Sequence, residues 1–379
     1  MAERKNIPEA TKLILWGKAG GRCEYEGCNR PLWKDDLTQS EFNSAYIAHI
    51  IAATPGGPRG HPTLSSQLEV EESNLMLMCD VHHRLIDRHD VDGHPVDRLR
   101  EMKRLHEERI ELQTAVDRDR RSHLLIYGPP VGDHSLTIDP ALCAIGMSPE
   151  YYPATRDPMV LNQKNSMSTQ RDQTYWESEM RQLQRAWDVV VEPKKKANEL
   201  HHVSVFALAP QPLLVKLGTL LSDMTNCRVY QPIREPKGWK WRMEEPETNP
   251  FIVERPEGQS FGTPVLVLGT TNRIDDARVL EVLPDARIWR VTVERPHNDF
   301  LKTEAQLAEF RSLIRPLLDE IRDKCGQKAP IHVFPAAAVA ICIELGLCYQ
   351  PKAIPPLKIY DQSSAEKGFK YAITIGRDE

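Results

Sequence analysis

The chain lacks a long hydrophobic run. Its most apolar window, "AAAVAICIELGL", is broken by Glu344 and falls short of the ~20 apolar residues a membrane span requires. "LILW" near the start is too short for a signal-peptide core, and no small-residue cleavage pattern follows it, so no targeting segment is expected. Cysteine is sparse, 8 in 379 residues, which excludes a disulfide scaffold and points to a reducing cytoplasm. Positive charge is not in excess either. With 49 Lys and Arg against 54 Asp and Glu, the formal net charge is −5. That excludes a surface coated for permanent nucleic-acid binding, though a local basic groove remains open. There is no short-period repeat and no low-complexity tract. Beyond residue 120 there is no phosphate-cradling glycine loop, nucleophile elbow or carboxylate pair.

What is present divides into segments. Charged residues make up 27% and hydrophobic residues 40%, an ordinary globular balance, and the length suits two or three domains. Residues 1–95 are rich in Cys, His and Gly. "VDRLREMKRLHEERIELQTAV" reads as one amphipathic helix, and "DRDRRS" as a solvated charge run, so 96–119 is taken as a connecting helix and linker. From residue 120 to 379 short apolar strands ("HLLIYG", "HHVSVFALAP", "TPVLVLGTT", "ARIWRVTVE", "IHVFPA", "LKIYD") alternate with helices. This predicts an α/β layer architecture with largely parallel strands. The Pro-rich stretch 129–158 reads as loop.

Cys23-x4-Cys28 and Cys79-x2-His82 form two short-spaced pairs of the kind that supply four tetrahedral zinc ligands. A structural zinc would also supply the folding free energy that a loop-rich segment of this size lacks. The alternative is four unrelated buried residues. His83 is left over beside a ligand and must point elsewhere. "YIAHIIA" reads as a strand carrying His49, and "EESNLMLMC" carries Asn74.

The order His49, Asn74, His83 around a Cys-type site, with "AHI", "GGPRG", "NLMLMC" and "HHRLID" in sequence over residues 20–90, resembles the HNH endonucleases. That resemblance implies a ββα-metal fold with one catalytic divalent cation, Mg²⁺ or another. It makes His49 the general base, His83 a ligand of the cation and Asn74 the residue that fixes the loop positioning His49. Arg59 in "GGPRG" either grips a DNA phosphate or is a turn residue. Ala48 stands where many family members carry an acidic metal ligand. Asp87, four positions after His83, either adds a ligand from the same helical face or merely caps or salt-bridges.

In the C-terminal segment, "FALAPQP", "VLGTTN" and "VFPAAA" each end an apolar strand in a turn opening onto a helix. Ligands of open α/β sheets gather at such strand ends, which makes Pro210, Gln211, Thr270, Thr271, Asn272, Pro335 and Ala336 candidate contacts. Trp239 and Trp241 in "KGWKW" either stack bases or fill the core. "HHVSVFALAPQPLLVKLGTLL", "CRVYQP…GWKW", "IHVFPAAAVAICIELG" and "PPLKIYDQ" together resemble the SAVED sensor domain, which is similar to two fused CARF-like units and binds cyclic oligonucleotides. The combination is similar to the HNH–SAVED effectors of bacterial CBASS anti-phage signalling. It implies a cytoplasmic abortive-infection effector that cuts double-stranded DNA when a cyclic di- or trinucleotide binds, acts as a homo-oligomer (dimer or tetramer) and needs no membrane. Two other readings stay open. One is a zinc-containing, non-catalytic DNA-binding module with a nucleotide-sensing domain; the other is a nuclease whose sensor also hydrolyses the cyclic nucleotide.

Overall fold

The computed structural model describes residues 5–35, 37–128, 138–161, 172–222, 224, 226–243, 249–257, 261–362 and 368–376. The chain separates into two compact units, Met1–Asp117 and Arg118–Glu379.

The first unit is built on α1 (Glu9–Lys18), β1 (Tyr46–His49), α2 (Leu64–Leu68), β2 (Leu75–Met78), α3 (Asp80–Arg84) and α4 (Val96–Thr114). β1 and β2 pair antiparallel, with His49 opposite Leu75 and Tyr46 opposite Met78. A two-stranded ribbon is marginal alone. Here all four residues of β2 are buried, in a core shared with Leu15 of α1 and Leu99 and Met102 of α4. After α3 the helix widens into a single π-type turn, Leu85–His89, which drops Ile86 into that core. The boundary expected at residue 95 is corrected by α4. The helix donates apolar residues to this core, and its buried Lys103 meets Glu72 at 2.7 Å and Glu107 at 2.5 Å. It is part of the unit rather than a connector.

The second unit runs β3 (Arg121–Tyr127), α5 (Pro140–Met147), β4 (Tyr152–Pro153), β5 (Met159–Val160), α6 (Gln173–Val190), α7 (Glu192–Lys196), β6 (Val203–Ala207), α8 (Gln211–Leu221) and β7 (Cys227–Tyr230). It continues through β8 (Phe251–Glu254), β9 (Thr263–Gly269), α9 (Asp276–Leu280), β10 (Ala286–Val293), α10 (Glu304–Cys325), β11 (Ile331–Ala336), α11 (Val339–Cys348), β12 (Leu357–Gln362) and β13 (Phe369–Ile375). One sheet has the order β4-β3-β6-β7, with β5 also on β3, and all of its pairings are parallel. The other has the order β13-β12-β11-β9-β10-β8, parallel in the middle and antiparallel at both edges. The stretch 129–158 is less loop than expected. Its residues 129–137 lie outside the described part, and the remainder contains α5, whose Asp139 cap accepts from Ala141 N at 2.8 Å.

An internal likeness joins the two sheets. "VSVFALAPQPLLVKLG" and "IHVFPAAAVAICIELG" align without a gap, matching Phe206 to Phe334 and Gly218 to Gly346. Both stretches run as a strand, a short turn with the N-cap at Pro210 or Ala338, and a helix. The two helices touch backbone to backbone. A Cβ on Gly218 would collide with Ile343 O, and one on Gly346 with Val215 O. Val215 and Ile343 are themselves partners in the alignment, so the contact is reciprocal, as two-fold-related elements require. The unit is a pair of similar halves folded against each other.

Candidate metal centre and ligand cavity

In the first unit the turn "CEYEGC" folds so that Cys28 N donates to Tyr25 O at 3.0 Å, with Gly27 at φ 77° in the left-handed region. Glu24 N donates to Leu77 O at 2.9 Å, and Glu24 Oε2 accepts from Leu77 N at 2.5 Å, which ties the turn to β2. Cys79 caps α3, and His82 sits on that helix. The ligand atoms of Cys23, Cys28, Cys79 and His82 all lie within 4.8 Å of one another. His82 Nδ1 is 3.2 Å from Cys79 Sγ and 3.7 Å from Cys23 Sγ. Zinc bonded tetrahedrally at about 2.3 Å to sulfur and 2.0–2.1 Å to nitrogen would separate S and N ligands by about 3.6 Å, so the donor set fits that ion.

Burial drives the Cys23 thiol strongly upward and, with a smaller push from His94, lowers the His82 imidazole. Neutral imidazole is the liganding form. A bound cation would offset the cost of burying thiolate. Tyr25 stacks flat on His82 at 4.1 Å, and its hydroxyl is 2.9 Å from His94 Nε2, a contact that orients the ligand ring.

Beside this cluster, the structure places His49 at the end of β1 and His83 on α3. Tyr46, also on β1, stacks on the His83 ring at 5.1 Å. His49 Nε2 is 2.9 Å from Glu69 O. A carbonyl can only accept, so Nε2 carries the proton and the lone pair of the neutral ring is on Nδ1. Asn74 is 2% exposed. Its Oδ1 accepts from Ile51 N at 2.8 Å, and its Nδ2 donates to Ile51 O at 2.9 Å and Leu68 O at 3.1 Å. It therefore clamps the chain immediately after His49. Asp87 Oδ2 lies 3.4 Å from His83 Nε2.

Arg59 is not positioned to grip a phosphate. Its side chain is 5% exposed, and its donors reach Ile50 O (2.8 Å), Ile86 O (2.6 Å), His49 O (3.4 Å) and Asp87 Oδ1 (2.6 Å). Four of the five guanidinium N–H donors are held by internal acceptors and the side chain is turned away from solvent, so the phosphate reading is corrected in favour of the turn residue.

In the second unit, a cavity of about 600 Å³ opens where β6 leads into α8 and β11 into α11. Of the strand-end candidates, Gln211 and Thr271 line it, while Pro210, Thr270, Asn272, Pro335 and Ala336 do not. Gln211 Oε1 accepts from Ala337 N at 3.2 Å and from Cys342 Sγ at 3.7 Å. Gln231 Oε1 accepts from Ala340 N at 3.0 Å. Two glutamines from one half thus cap backbone amides at the start of α11 in the other. With its oxygen so occupied, the amide NH₂ of the half-buried Gln211 donates to none of the described residues.

Trp239 and Trp241 are core residues, 6% and 7% exposed. Trp239 meets Phe206 edge-on at 5.3 Å and forms one wall of the cavity. Trp241 lines only a neighbouring cavity of about 680 Å³. The pair as a base-stacking platform is therefore corrected. Sequence reasoning missed Gln231, Arg234 and Lys237, which follow β7 and add three polar side chains to the wall. The available signal was the same strand-end rule, applied to "CRVYQP".

Residues 166–375 match the family of SMODS-associated and fused to various effectors sensor domains, SAVED. The match covers more than half of the chain, and the chain belongs to the SAVED family. Among solved structures it is similar to the Acinetobacter baumannii Cap4 SAVED/CARF-domain containing receptor with the cyclic trinucleotide 2'3'3'-cAAA, at 12% identity and TM-score 0.44, over 74% of this chain and 61% of that one. The same receptor with 3'3'3'-cAAA gives 12% identity and TM-score 0.44, over 84% and 68%. The Moraxella osloensis Cap4 receptor gives 11% and 0.39, over 74% and 60%. The chain thus spans about three fifths of the length of the first of these, 61%. No curated protein matches it. Among the described residues, no helix is long and apolar enough to cross a membrane.

Proposed function

We propose that this protein is a ligand-gated endonuclease of the HNH type. A cyclic di- or trinucleotide bound by the SAVED unit licenses the first unit to cut double-stranded DNA, as an effector in CBASS-like anti-phage defence. The observation that carries the reading is a chain of contacts: Asn74 clamps the segment after His49, and Arg59 joins His49 O to Asp87, whose other oxygen faces His83, in a chain that also holds a four-ligand Cys/His cluster and a sensor domain.

Each residue has a stated task. Cys23, Cys28, Cys79 and His82 would hold a zinc ion, and so tie the "CEYEGC" turn to α3. Asn74 fixes Ile51 and so the orientation of His49. His49 takes the proton of the attacking water at Nδ1, the atom its hydrogen bond to Glu69 leaves basic. His83 Nε2 and Asp87 Oδ2, 3.4 Å apart, present one nitrogen and one oxygen donor on the same side of the turn. These two donors would hold a divalent cation, which would supply neutralisation of charge at the scissile phosphate and the departing 3′-oxygen. Ala48 is buried and adds no ligand.

The ligand of the sensor follows from the wall of the 600 Å³ cavity. Besides Asp139, the wall carries the amide donors of Gln211 and the cations Arg234 and Lys237, which favour an anionic, acceptor-rich molecule. A cyclic oligonucleotide is such a molecule, and cyclic trinucleotides are the ligands in the two Acinetobacter baumannii Cap4 complexes. A silent nuclease becomes active only if that ligand binds the active arrangement more tightly, through homo-oligomers that bring two nuclease units to opposite strands.

The test of the chemistry is His49→Ala. Cutting should fall by about 10² or more, with zinc content and cyclic-nucleotide affinity unchanged. Undiminished cutting would move the reaction elsewhere. A protein that binds DNA and zinc but never responds to a second divalent metal would support the non-catalytic module instead.

A further inference from the structure

Arg59 sits in a turn that forces its side chain inward. In "TPGGPRG", Gly57 N donates to Thr54 O at 3.1 Å, Gly60 N donates to Gly57 O at 2.9 Å, and Arg59 itself has φ 55°. The turn is too tight for side chains at two of its three glycines. A Cβ on Gly57 would lie 2.7 Å from the Ala52 Cβ, and one on Gly60 would collide with Pro55 O. A left-handed conformation at a non-glycine residue is unfavourable and persists only where surrounding contacts hold it. Here the contacts are those of the guanidinium.

They divide into two sets. Nε donates to Ile50 O at 2.8 Å and Nη2 to His49 O at 3.4 Å, both at the end of β1. Nη1 donates to Ile86 O at 2.6 Å and Nη2 to Asp87 Oδ1 at 2.6 Å, both in the turn after α3. Asp87 passes the restraint on, because its other oxygen faces His83 Nε2 at 3.4 Å. A planar fork of donors fixes the acceptors around it in both distance and angle, which a lysine cannot do.

We propose that Arg59 is a positioning residue for the cleavage reaction: it ties the strand end that carries the proton acceptor His49 to the turn that carries Asp87, the partner of His83, and so sets the spacing between the base and the groups that would hold the cation. This rests on the HNH reading of the first unit. It differs from a phosphate contact, because the guanidinium does its work without touching DNA, and from simple packing, because the groups it joins are the two halves of the reaction machinery.

The test uses the full-length protein and Arg59→Lys, which keeps the charge near Asp87 and loses the fork; Arg59→Gln serves if the lysine variant is insoluble. With activating ligand and Mg²⁺, kcat on a duplex should fall at least tenfold with KM for DNA unchanged, since small misplacements of reacting groups are costly. DNA affinity without divalent cation, followed against salt, should keep the wild-type slope. A phosphate contact would instead lower that slope by about one and weaken binding at normal kcat; that result, or an unchanged kcat, overturns the proposal. The tether also has a readout independent of turnover. The ring resonances of both His49 and His83 should move in Arg59→Lys while those of His82 stay, and a shift confined to one of the two overturns it. Wild-type protein that cuts no DNA under any ligand sinks the HNH reading, and the ring resonances still decide whether Arg59 joins the two histidines.

Discussion

Replacing Asn74 with alanine should release the segment that follows His49. Three hydrogen bonds disappear at once: Ile51 N to Oδ1 at 2.8 Å, and Nδ2 to Ile51 O at 2.9 Å and Leu68 O at 3.1 Å. Ile51 is itself buried, so its N–H and C=O lose their partners in a place water reaches poorly. Each bond is worth about 1 kcal/mol net, and an unsatisfied buried group costs about 1–3 kcal/mol. Allowing for relaxation, the local loss is about 2–4 kcal/mol. At tenfold per 1.4 kcal/mol, hydrogen exchange at Ile51 should quicken roughly 30- to 1000-fold. Exchange measured by mass spectrometry on peptides covering residues 49–53 and 64–70 reads this in the intact protein, where global unfolding need not be two-state. Peptides from the second unit should be unchanged, and DNA cutting should be lost. Asn74→Asp keeps the acceptor for Ile51 N–H but sets a carboxylate against two carbonyls, so it should recover protection only when acid protonates it. Wild-type exchange at 49–53 in Asn74→Ala, with cutting retained, would refute the clamp.

Metal analysis should find about one tightly held zinc per chain, and Cys79→Ser should lose it and unfold the first unit while the second still binds ligand; a folded, active Cys79→Ser removes the site. Glu24, whose carboxyl is pushed up to about 8 chiefly by burial, keeps its proton in the folded state long after the unfolded chain has lost its own. Folding then binds the extra proton, so this group's contribution to stability falls as pH rises from the ordinary carboxylate range to about 8. Glu24→Gln should flatten that fall in a pH series of thermal unfolding, and parallel curves for the two proteins would contradict it. Gln211→Glu preserves an oxygen for Ala337 N but removes the amide donors, so affinity for the activating cyclic nucleotide should drop tenfold or more by calorimetry while the maximal cutting rate stays; equal affinity would take Gln211 out of ligand recognition.

The alternation of apolar strands and helices announced the architecture of residues 120–379, and six strands quoted from it appear as β3, β6, β9, β10, β11 and β12. Such runs are legible because burial on both faces keeps them mainly apolar, most completely in β9. α6 was not singled out, although Asp172 caps it and Trp176, Leu183 and Trp187 face the core. Trp176, Met180, Leu183 and Trp187 recur at helical spacing, so this stripe was legible in the sequence and was passed over. The likeness between the two halves was hidden, since its identities are few and its meaning lies in the Gly218–Gly346 contact.

At the site, Cys23, Cys28, Cys79 and His82 were readable because liganding residue types at short spacings are rare by chance. Arg59 stayed open between a phosphate contact and a turn residue for a physical reason. A basic residue in a glycine turn is usually solvated, and nothing local says that its fork will find the carbonyls of Ile50 and Ile86. Trp239 and Trp241 stayed open likewise, because a strand-like spacing does not tell a stacking face from a buried one. Gln231, Arg234 and Lys237 depend on where the chain after β7 turns, which is a tertiary fact.

The central claim is the coupling of a sensed cyclic nucleotide to DNA cleavage. Purified full-length protein with Mg²⁺ and supercoiled plasmid, challenged with a panel of cyclic di- and trinucleotides of 3′,5′ and 2′,5′ linkage, measures it directly. The account predicts an intact plasmid without ligand, degradation with one or a few members of the panel, and none with that ligand in His49→Ala. Degradation that is equally fast with no ligand, or an intact plasmid alongside a cyclic nucleotide shown by calorimetry to be bound, would contradict it.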